Sequence, residues 1–364
     1  MLFRSGLPLF SQSAVDGYAI CSTSDLLASN QFKLVGEIRA GQTASIRLEE
    51  GQAIRIFTGG EIPQGTTTVA RQEIIQVISS DQIALTHDLK LQADIRYQGE
   101  EIQKGQCLAT QGQHLTVGAI AASSMVGVKD VGVYAQPKIA VLITGDEVAS
   151  SIEDFKAGKI FDANGPMLKA WFQNEHFDIE LIHVIDDREQ LKNKIKALSE
   201  IYDVIFTTGG VSVGDYDFIR PVSLELGFKE IFWKIKQKPG KPMFFAQLNR
   251  EEHSTCYLLG LPGNPAAVYV GMQIYGKVLL NALQGKKALP DWFTGVVTHD
   301  LKPDQRERFL RMSAQFIDGQ LKLTSLKKQQ SHMLSNLMDA NCLVRIPANK
   351  TIVAGEYLQG IFIQ

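Results

Sequence analysis

The sequence predicts a multidomain α/β protein with a central, doubly wound, mostly parallel sheet, flanking β-rich domains and a C-terminal β-barrel-like domain. Three changes of texture along the 364 residues support this fold class. Between Lys138 and about Leu283, strand-sized apolar runs alternate with helix-length segments. From Phe32 to about Arg96, and again after Pro290, short β-rich runs alternate with turn residues. We therefore divide the chain into a β-rich inserted domain (11–97), a segment made of 1–10 and 98–136, an α/β domain (137–285) and a C-terminal β-domain (286–364).

The central region carries the clearest elements. Ile139–Ile143 is apolar at every position, as expected for a parallel strand buried on both faces. Asp186, with Glu189 three residues later, predicts a helix whose N-cap is Asp186. A last helix is predicted to begin at Pro265, with Asn264 as its N-cap. The predicted strands are 139–143, 179–185, 203–208, 230–236, 243–245 and 257–259, and the other predicted helices are 165–177 and 217–226.

The region before it has the period of strands. Alternating β-rich residues and Gly, Asp or Ser turns predict strands at 32–35, 53–57, 74–78 and 82–86. One short helix is predicted between His114 and Val128, where Leu115, Ala119 and Ala122 lie at helical spacing.

Composition excludes several classes of protein. With 37 basic and 39 acidic residues the net charge is −2, so no global basic field exists for nucleic acid. No apolar run approaches the ~20 residues of a membrane span, and the N-terminus lacks the apolar core of a signal peptide. The four cysteines lie far apart without a CxxC motif, which is typical of reduced thiols. We therefore predict a cytoplasmic protein without nucleic-acid or membrane partners.

The strongest local motif is a glycine-rich loop within Asp203–Asp217, between a predicted strand and helix. Gly209, Gly210 and Gly214 let the backbone approach a ligand, and Ser212 lies among them. Loop N–H groups next to a helix N-terminus can hold an anion, although the motif is neither Walker A nor GxGxxG. A tight strand-to-helix turn with capping aspartates is the alternative, and the sequence leaves both open.

Carboxylates follow several of the predicted parallel strands. Because the carboxyl ends of parallel strands share one edge of a sheet, these side chains form an acidic rim. Converging like charges repel unless a divalent cation lies among them. Capping of the following helices is the alternative; it explains Asp186 well and Glu147 poorly. The carboxylates of this rim are Asp146, Glu147, Asp186, Asp187, Asp215 and Asp217.

Positive charge is concentrated in one segment, Trp233–Lys241. If this segment is extended, Lys234, Lys236 and Lys238 share one face, where an anion or solvent must screen them. A solvated edge strand with protective lysines is the alternative. Farther along, Gly260–Pro265 places a glycine turn before a helix N-terminus, which is a second candidate anion pocket.

Taken together, these segments resemble the molybdopterin molybdenumtransferase family, which includes the gephyrin E-domain. Single motifs are weak, but their occurrence in the family's order along nearly the whole chain is specific. The matching segments are Ser13–Ala19, Phe57–Gly65, Gly99–Ile102, Thr144–Glu147, Phe161–Asn164, Gly209–Asp217, Trp233–Pro242, Gly260–Pro265, Arg306–Arg311 and Ala340–Leu343.

The resemblance implies a homodimer of four-domain subunits, in which 1–10 and 98–136 form the dimerisation segment and 137–285 binds molybdopterin. It also implies a Mg²⁺-dependent reaction in which molybdate is inserted into adenylylated molybdopterin and AMP is released. Molybdopterin adenylyltransferase and maturation proteins of molybdenum enzymes are the implied partners.

By motif position, the resemblance assigns catalytic, substrate-binding and metal-binding roles. The implied catalytic residues are Asp16, Thr58, Glu101, Glu147, Asp187, Asp217, Lys234 and Lys238. The implied substrate-binding residues are Gly209, Gly210, Ser212, Gly214, Lys241, Pro262, Gly263, Pro265, Arg311 and Ser331. The implied Mg²⁺ ligands are Glu147, Asp187 and Asp217.

Two departures from the family pattern concern this site. The family's Gly-Glu-Asp-Ile reads Gly99-Glu-Glu-Ile102 here, so the carboxylate of Glu101 is one methylene longer. Ala267 stands where the family often has serine, which predicts a weaker molybdate site because one hydroxyl donor is lost.

Two alternative functions remain. A molybdopterin adenylyltransferase shares the Thr-Gly-Gly-Val-Ser loop but needs only the central domain. A catalytically weakened dimeric scaffold is favoured by Ala267 and by a chain that starts later than those of family members. AMP release, pyrophosphate release from ATP, or neither would distinguish the three.

Overall fold

The computed structural model describes residues 5–145, 148–149, 159–215, 217–250 and 254–363. The chain forms two compact units, Met1–Val133 and Tyr134–Gln364. None of the described helices combines the length and apolar character that a membrane span requires.

The first unit is built on a six-stranded sheet of order β5-β2-β4-β3-β7-β6. Apolar side chains of both sheet faces form its cores, around Ile20 and Ile83 on one side and Ile54 and Val69 on the other. Its elements are β1 (Gln12–Ser13), β2 (Gly17–Ile20), β3 (Gln31–Ile38), β4 (Gln52–Ile56), β5 (Thr68–Arg71), a 3₁₀ turn (Gln72–Ile74), β6 (Ile75–Ser79), β7 (Gln82–Leu85), β8 (Ile95–Arg96) and α1 (Val117–Met125).

The second unit begins with an α/β layer whose sheet has the order β12-β9-β13-β17-β16-β14. Its strands are β9 (Ile139–Thr144), β12 (Ile179–Val184), β13 (Val204–Thr208), β14 (Lys229–Trp233), β16 (Phe244–Asn249) and β17 (Thr255–Leu261). Two short strands, β10 (Val148–Ala149) and β11 (Ile160–Phe161), pair with each other, and β15 (Gln237–Lys238) pairs elsewhere. The helices are α2 (Asn164–Asn174), α3 (Arg188–Ile201), α4 (Ile219–Glu225), α5 (Pro265–Gly271), a π-helical turn (Met272–Gly276) and α6 (Lys277–Leu283).

Helices cover both faces of this sheet. Strands β12, β9, β13 and β17 are parallel, and β16 runs antiparallel to β17 and β14. Along β9, Val141 and Ile143 belong to the core beneath α2, α5 and α6, whereas Ala140 and Leu142 face α3 and α4. This two-sided burial explains why residues Ile139–Ile143 of β9 are all apolar, and it confirms the doubly wound, mostly parallel sheet.

Five strands of the C-terminal region close into a barrel. The ring β19-β20-β18-β22-β21 is completed by pairing of β21 with β19, which confirms the barrel-like prediction. The strands are β18 (Phe293–Val297), β19 (Glu307–Ile317), β20 (Gln320–Ser325), β21 (Cys342–Ile346) and β22 (Tyr357–Phe362), and Ser335–Met338 forms a 3₁₀ turn. Strand β15 lies parallel to β19, with Lys238 opposite Arg308.

Two sequence predictions of local structure were wrong. The N-cap of α3 is Asp187, whose carboxylate accepts from Gln190 N at 2.8 Å, and not Asp186. The lysine segment is also not one strand, because β14 ends at Trp233 and Lys234 has φ +65°. Lys234, Lys236 and Lys238 are nevertheless all exposed, so the alternation of exposure survives without the regular backbone.

Candidate functional site

In the first unit, two predicted residues 42 positions apart in the chain meet directly. The backbone N–H and the hydroxyl of Thr58 both donate to Asp16 Oδ1, each at 2.8 Å. These two bonds hold the pKa of Asp16 below its usual value, and the bond from the backbone N–H has the larger effect. The pair is exposed, so it presents a permanent carboxylate to solvent at neutral pH.

The glycine next to Asp16 lies where the neighbouring strand leaves no room for a side chain. A Cβ on Gly17 would lie 2.0 Å from the carbonyl oxygen of Ala70 on the paired strand β5. Ser13, which is fully buried, exchanges backbone hydrogen bonds with the turn that carries Thr58, through Gly59 and Gly60. The segment around Asp16 is therefore locked to the Thr58 turn.

Glu101 lies in a different turn of the same unit. Its backbone N–H donates to Leu7 O at 3.0 Å, and its side chain is exposed. Within the described residues it makes no hydrogen bond to Asp16 or Thr58. The structure therefore brings together two of the three site residues predicted here.

In the second unit, the glycine loop after β13 has the conformation that only glycine adopts readily. Gly209 and Gly210 have φ of +83° and +66°. A Cβ at Gly209 would approach Thr144 Oγ1 to 2.9 Å, and one at Gly210 would approach Ile219 Cγ1 to 2.7 Å. The loop is thus packed against the end of β9 on one side and the start of α4 on the other.

The far end of this loop is held by Asp217. Its Oδ2 accepts from the N–H of Gly214 at 2.7 Å, and its own N–H donates to Gly214 O at 3.1 Å. Ser212, Gly214 and Asp215 are exposed, whereas Asp217 is half-buried. The loop presents polar groups to solvent at the carboxyl edge of the sheet, where ligands of open α/β folds bind.

The predicted metal ligands are only partly placed. Glu147, like Asp146, lies outside the described residues. Asp187 caps α3 and Asp217 closes the glycine loop, each with one carboxylate oxygen. Across the described ranges, no group of three His, Cys, Asp or Glu side chains is arranged to hold a metal ion.

Two of the lysines have defined contacts, one with a tryptophan ring and one with a carboxylate. Lys234 Nζ lies 3.9 Å from the Trp233 ring centroid, and the indole N–H donates to Val211 O in the glycine loop at 2.9 Å. Lys238 Nζ contacts Asp304 Oδ2 at 2.8 Å, which, with other bonds, holds the pKa of Asp304 below its usual value. The tryptophan thus connects the lysine segment to the glycine loop.

One charged partner of these lysines, Asp304, has no signal in the sequence, because no motif contains it. It lines an open cleft together with Lys241 and Arg306, and Arg306 is the first residue of the Arg306–Arg311 motif. Asp304 and Arg306 precede β19, which pairs with β15 in the barrel sheet.

The second glycine turn lies against the first. A Cβ on Gly263 would lie 3.7 Å from Gly209 Cα. Asn164 Nδ2 donates to Gly263 O at 2.8 Å, so the start of α2 fixes this turn. Pro262 is buried and Pro265 begins α5. The two loops therefore meet at one edge of the sheet.

Three buried polar atoms near this edge have no hydrogen-bond partner among the described residues. They are Asn164 Oδ1, Thr207 Oγ1 and Thr208 Oγ1. Thr208 is the last residue of β13, and Asn164 is the first of α2. Buried polar groups are normally satisfied, so these atoms are candidate contacts for a bound ligand. The Phe161–Asn164 motif contains Asn164, and Thr208 is the threonine of the Thr-Gly-Gly-Val-Ser loop, although neither was predicted as a site residue.

Ala267 does not face an open anion pocket. It is 1% exposed, and its N–H donates to Asn264 O at 2.9 Å. The N–H of Ala266 is bonded to Ser331 O at 3.0 Å. The first turn of α5 therefore has these amides occupied, and a serine hydroxyl at 267 would be buried. The predicted weakening of the molybdate site by Ala267 has no support in this geometry.

Arg311 is buried as well, with 1% exposure. Its guanidinium donates to Lys328 O at 3.0 Å, to Gln330 O at 3.1 Å and to Met333 O. Burial lowers the pKa of Arg311. A side chain so enclosed shapes the loop through these carbonyls, and its direct contact with a substrate stays a prediction.

Ser331 lies at the tip of that loop. Its hydroxyl accepts from Asn264 Nδ2 at 3.1 Å, and its carbonyl accepts from Ala266 N. Ser331 thus joins the barrel's loop to the second glycine turn and lies next to the predicted substrate edge.

Comparison with known protein families matches nearly the whole chain in three parts. Residues 4–127 match the MoeA N-terminal region (domain I and II). Residues 140–282 match a probable molybdopterin binding domain, and residues 294–361 match the MoeA C-terminal region (domain IV).

Individual relatives give the same result. The chain is 32% identical over 359 residues to the molybdopterin molybdenumtransferase of Haemophilus influenzae, covering 96% of this chain and 86% of that one. It is 30% identical to the enzyme of that name from Bacillus subtilis, covering 98% and 85%. Its fold is similar to the molybdopterin biosynthesis MoeA protein of Pyrococcus horikoshii, with a TM-score of 0.80, 24% identity, and coverage of 100% and 90%.

Proposed function

This chain belongs to the molybdopterin molybdenumtransferase family, and we propose that it inserts molybdate into adenylylated molybdopterin, with release of AMP, in molybdenum cofactor biosynthesis. The observation that carries the proposal is the meeting of two glycine loops at the carboxyl edge of the α/β sheet. Gly263 lies against Gly209 there, and the Trp233–Lys241 segment supplies positive charge beside them. The names of the relatives support the same reaction.

The chemistry of the substrate fits this edge. Adenylylated molybdopterin carries a phosphoanhydride, and loop amides with lysine ammonium groups are suitable donors to its oxygens. Lys238 and Lys241 bring charge without closing the cleft, because both side chains are exposed. Asn164 Oδ1 and Thr208 Oγ1 offer fixed polar contacts at the buried end. Bound there, the anhydride lies in a field that stabilises the negative charge developing as AMP leaves.

Mg²⁺ is part of the proposal. The chemistry of the donor set fits this ion, because Asp187 and Asp217 are carboxylates that each use one oxygen for a cap and retain the other. Together with Glu147 they would hold the ion, which neutralises phosphate charge when bound. The chain itself keeps both aspartates in place through the Gln190 and Gly214 amides.

The residues of the first unit serve the same reaction in this proposal. Asp16 is an ionised, oriented carboxylate, since Thr58 donates two hydrogen bonds to one of its oxygens. A second oxygen remains for an incoming donor. Glu101 adds a further exposed carboxylate in the same unit.

A turnover assay tests the function. Purified protein is mixed with adenylylated molybdopterin, molybdate and Mg²⁺, and AMP is followed by chromatography. We expect AMP release that depends on molybdate. Pyrophosphate release from ATP with molybdopterin would instead identify an adenylyltransferase, and absence of both activities would identify a scaffold.

Removing a lysine charge should weaken substrate binding. We expect Lys234→Ala and Lys238→Ala each to raise the dissociation constant for adenylylated molybdopterin about 10- to 100-fold, the value of one charge-assisted contact. Calorimetry at two salt concentrations measures this, and the wild-type affinity should fall with salt.

A matched control exists for this experiment. Lys287 forms a similar pair with Asp291, at 2.7 Å, on an exposed part of the chain. Lys287→Ala should leave affinity unchanged. Equal affinities for Lys234→Ala, Lys238→Ala and wild type would mean that the lysines are only solvated surface residues.

A homodimer is the proposed assembly. Helix α1 exposes Val117, Ile120 and Met125, with 86%, 54% and 61% of their surfaces accessible. Such an apolar helix face is typical of an interaction surface, and it falls within the proposed dimerisation segment. Sedimentation should therefore give twice the 40.2 kDa of one chain; a monomer at micromolar concentration would contradict this.

We place the protein in the cytoplasm, because all four cysteines are free and Cys107 is exposed. A reaction that adenylylates molybdopterin must supply its substrate. The enzyme of that reaction and the proteins that mature molybdenum enzymes are therefore its proposed partners.

A further inference from the structure

Residues 235–241 form a turn, called the lysine turn here, that contains one buried polar side chain, that of Gln237. Gln237 is 3% exposed, whereas its neighbours Lys236 and Lys238 are exposed. Its Nε2 donates to Pro239 O at 2.9 Å, and its Oε1 accepts from the hydroxyl of Tyr275 at 2.8 Å. The amide therefore bonds the turn on one side and a helix on the other. Buried amides satisfied in this way hold their surroundings in one arrangement.

The helical partner comes from an irregular segment. Tyr275 lies in the π-helical turn Met272–Gly276, between α5 and α6. A π-turn inserts an extra residue, which changes the direction of the side chains that follow, and such turns occur frequently at functional sites. Burial raises the pKa of Tyr275, so its hydroxyl stays protonated and donates. Its ring also packs against Phe232 of β14, with centroids 6.4 Å apart.

The turn packs closely on the Gln237 amide. Gly240 has φ +99°, and a Cβ there would lie 3.3 Å from Gln237 Nε2 and 4.0 Å from Ala267 O. Arg306 donates to Gln237 O at 3.4 Å. The turn closes where Ile235 N donates to Lys241 O at 3.0 Å. Both Lys238 and Lys241 thus extend from a backbone that the Gln237 amide supports.

We propose that Gln237 and Tyr275 are positioning residues that fix the Lys238–Lys241 turn, so that both lysines are aligned for the anionic substrate. This inference rests on the proposed function for its kinetic consequence. It does not rest on it for the structural consequence, which is the placement of the two ammonium groups.

Tyr275→Phe tests the pair by deleting a single hydroxyl. It leaves Gln237 Oε1 without its donor and frees the turn. We expect the KM for adenylylated molybdopterin to rise between about 5- and 50-fold, the cost of one unpaired buried group, with kcat reduced much less. Gln237→Leu should have an effect of the same size, and the double variant should lose no more than either single variant, because the two residues act as one unit.

The matched control is Tyr257→Phe. Tyr257 lies on β17 and stacks on Phe245 of the paired strand β16, with ring centroids 6.0 Å apart. Its hydroxyl makes no hydrogen bond to another described residue. Tyr257→Phe should therefore leave KM unchanged.

A second measurement separates positioning from general stability. In a chain that already carries Lys238→Ala and Lys241→Ala, Tyr275→Phe should cause no further loss of substrate affinity, because its effect passes through those lysines. A full loss in that background would overturn the proposal, even if the unfolding midpoint also falls.

Lysine labelling tests the placement without any substrate. Limited acetylation followed by peptide mass spectrometry should show Lys238 reacting faster in Tyr275→Phe than in wild type, since its pairing with Asp304 loosens. Lys287 should react at the same rate in both. An unchanged Lys238 rate would overturn the proposal. If wild type releases no AMP, the proposed function fails, and this labelling result still decides whether Gln237 and Tyr275 position the lysines.

Discussion

Asp217→Asn is expected to reduce AMP release about 100-fold or more while leaving the fold intact. The Asp217 carboxylate closes the glycine loop by accepting from Gly214 N at 2.7 Å. An asparagine amide oxygen accepts the same bond, so the loop conformation is retained. The substitution therefore removes the negative charge and one metal-binding oxygen and little else. Single-turnover AMP release and the urea midpoint of unfolding measure the two parts of this expectation.

The control for Asp217 is Asp300, an exposed carboxylate outside the acidic rim whose Oδ1 accepts from Ala354 N at 2.8 Å. Asp300→Asn removes the same charge from a similar cap, and we expect little change in AMP release. A more active Asp217→Asn enzyme would show that the carboxylate only repels the anionic substrate. A variant with an unchanged rate at limiting Mg²⁺ would show that Asp217 is merely a loop cap.

Burial periodicity explains why so much of the fold could be predicted. The first five residues of β9, Ile139–Ile143, are all apolar because α2, α5 and α6 cover one face and α3 and α4 the other. That pattern depends only on the residues of the strand, so it is visible without the structure. The sequence also predicted a C-terminal β-barrel-like domain, but it did not predict that β21 pairs with β19 to close the barrel.

The glycine loops were predictable for a different reason, whereas Asp16 and Thr58 were indicated only by the family resemblance and their direct contact was not predicted. Each depends on residue types that only special backbone geometry requires. Gly209 and Gly210 have positive φ, and Gly17 has no room for a side chain. Such positions leave a record in the sequence that short motifs preserve.

The predictions failed where one residue's conformation or a distant partner decides the outcome. Lys234 has φ +65°, so the lysine segment is not the extended strand that the alternation of its lysines predicted. Asp186 and Asp187 are both good caps, and a shift of one residue selects the second. Asp304 meets Lys238 across 66 positions of sequence, a contact that no local pattern contains.

The surroundings of Arg311 show most clearly what the sequence could not reveal. Arginine is almost never fully buried without partners, so a sequence motif containing it suggests an exposed, anion-binding group. In the structure its partners are mainly backbone carbonyls of the loop 17–22 positions later, together with Gln329 Oε1 at 3.4 Å. Backbone carbonyls carry no residue signature, which is why the sequence could not reveal this role.

Arg311→Met is therefore expected to destabilise the protein by about 3 kcal/mol, because several buried carbonyls lose their donor at once. Methionine fills much of the same volume, so the loss is one of hydrogen bonds more than of packing. Loosening the loop also releases Ser331 from Asn264, so AMP release should fall along with stability. Urea unfolding monitored by tryptophan fluorescence measures the stability change.

Arg345→Met is the matched control on the adjacent strand β21. Arg345 forms an exposed pair with Glu307, at 2.8 Å with side-chain exposures of 44% and 30%, and exposed pairs contribute about 0–1 kcal/mol. If Arg311 instead contacts molybdate directly, Arg311→Met will raise the molybdate concentration for half-maximal insertion and leave the unfolding midpoint unchanged. The buried guanidinium and its carbonyl partners predict the opposite result. The unfolding midpoint should fall strongly, and the molybdate concentration for half-maximal insertion should change little.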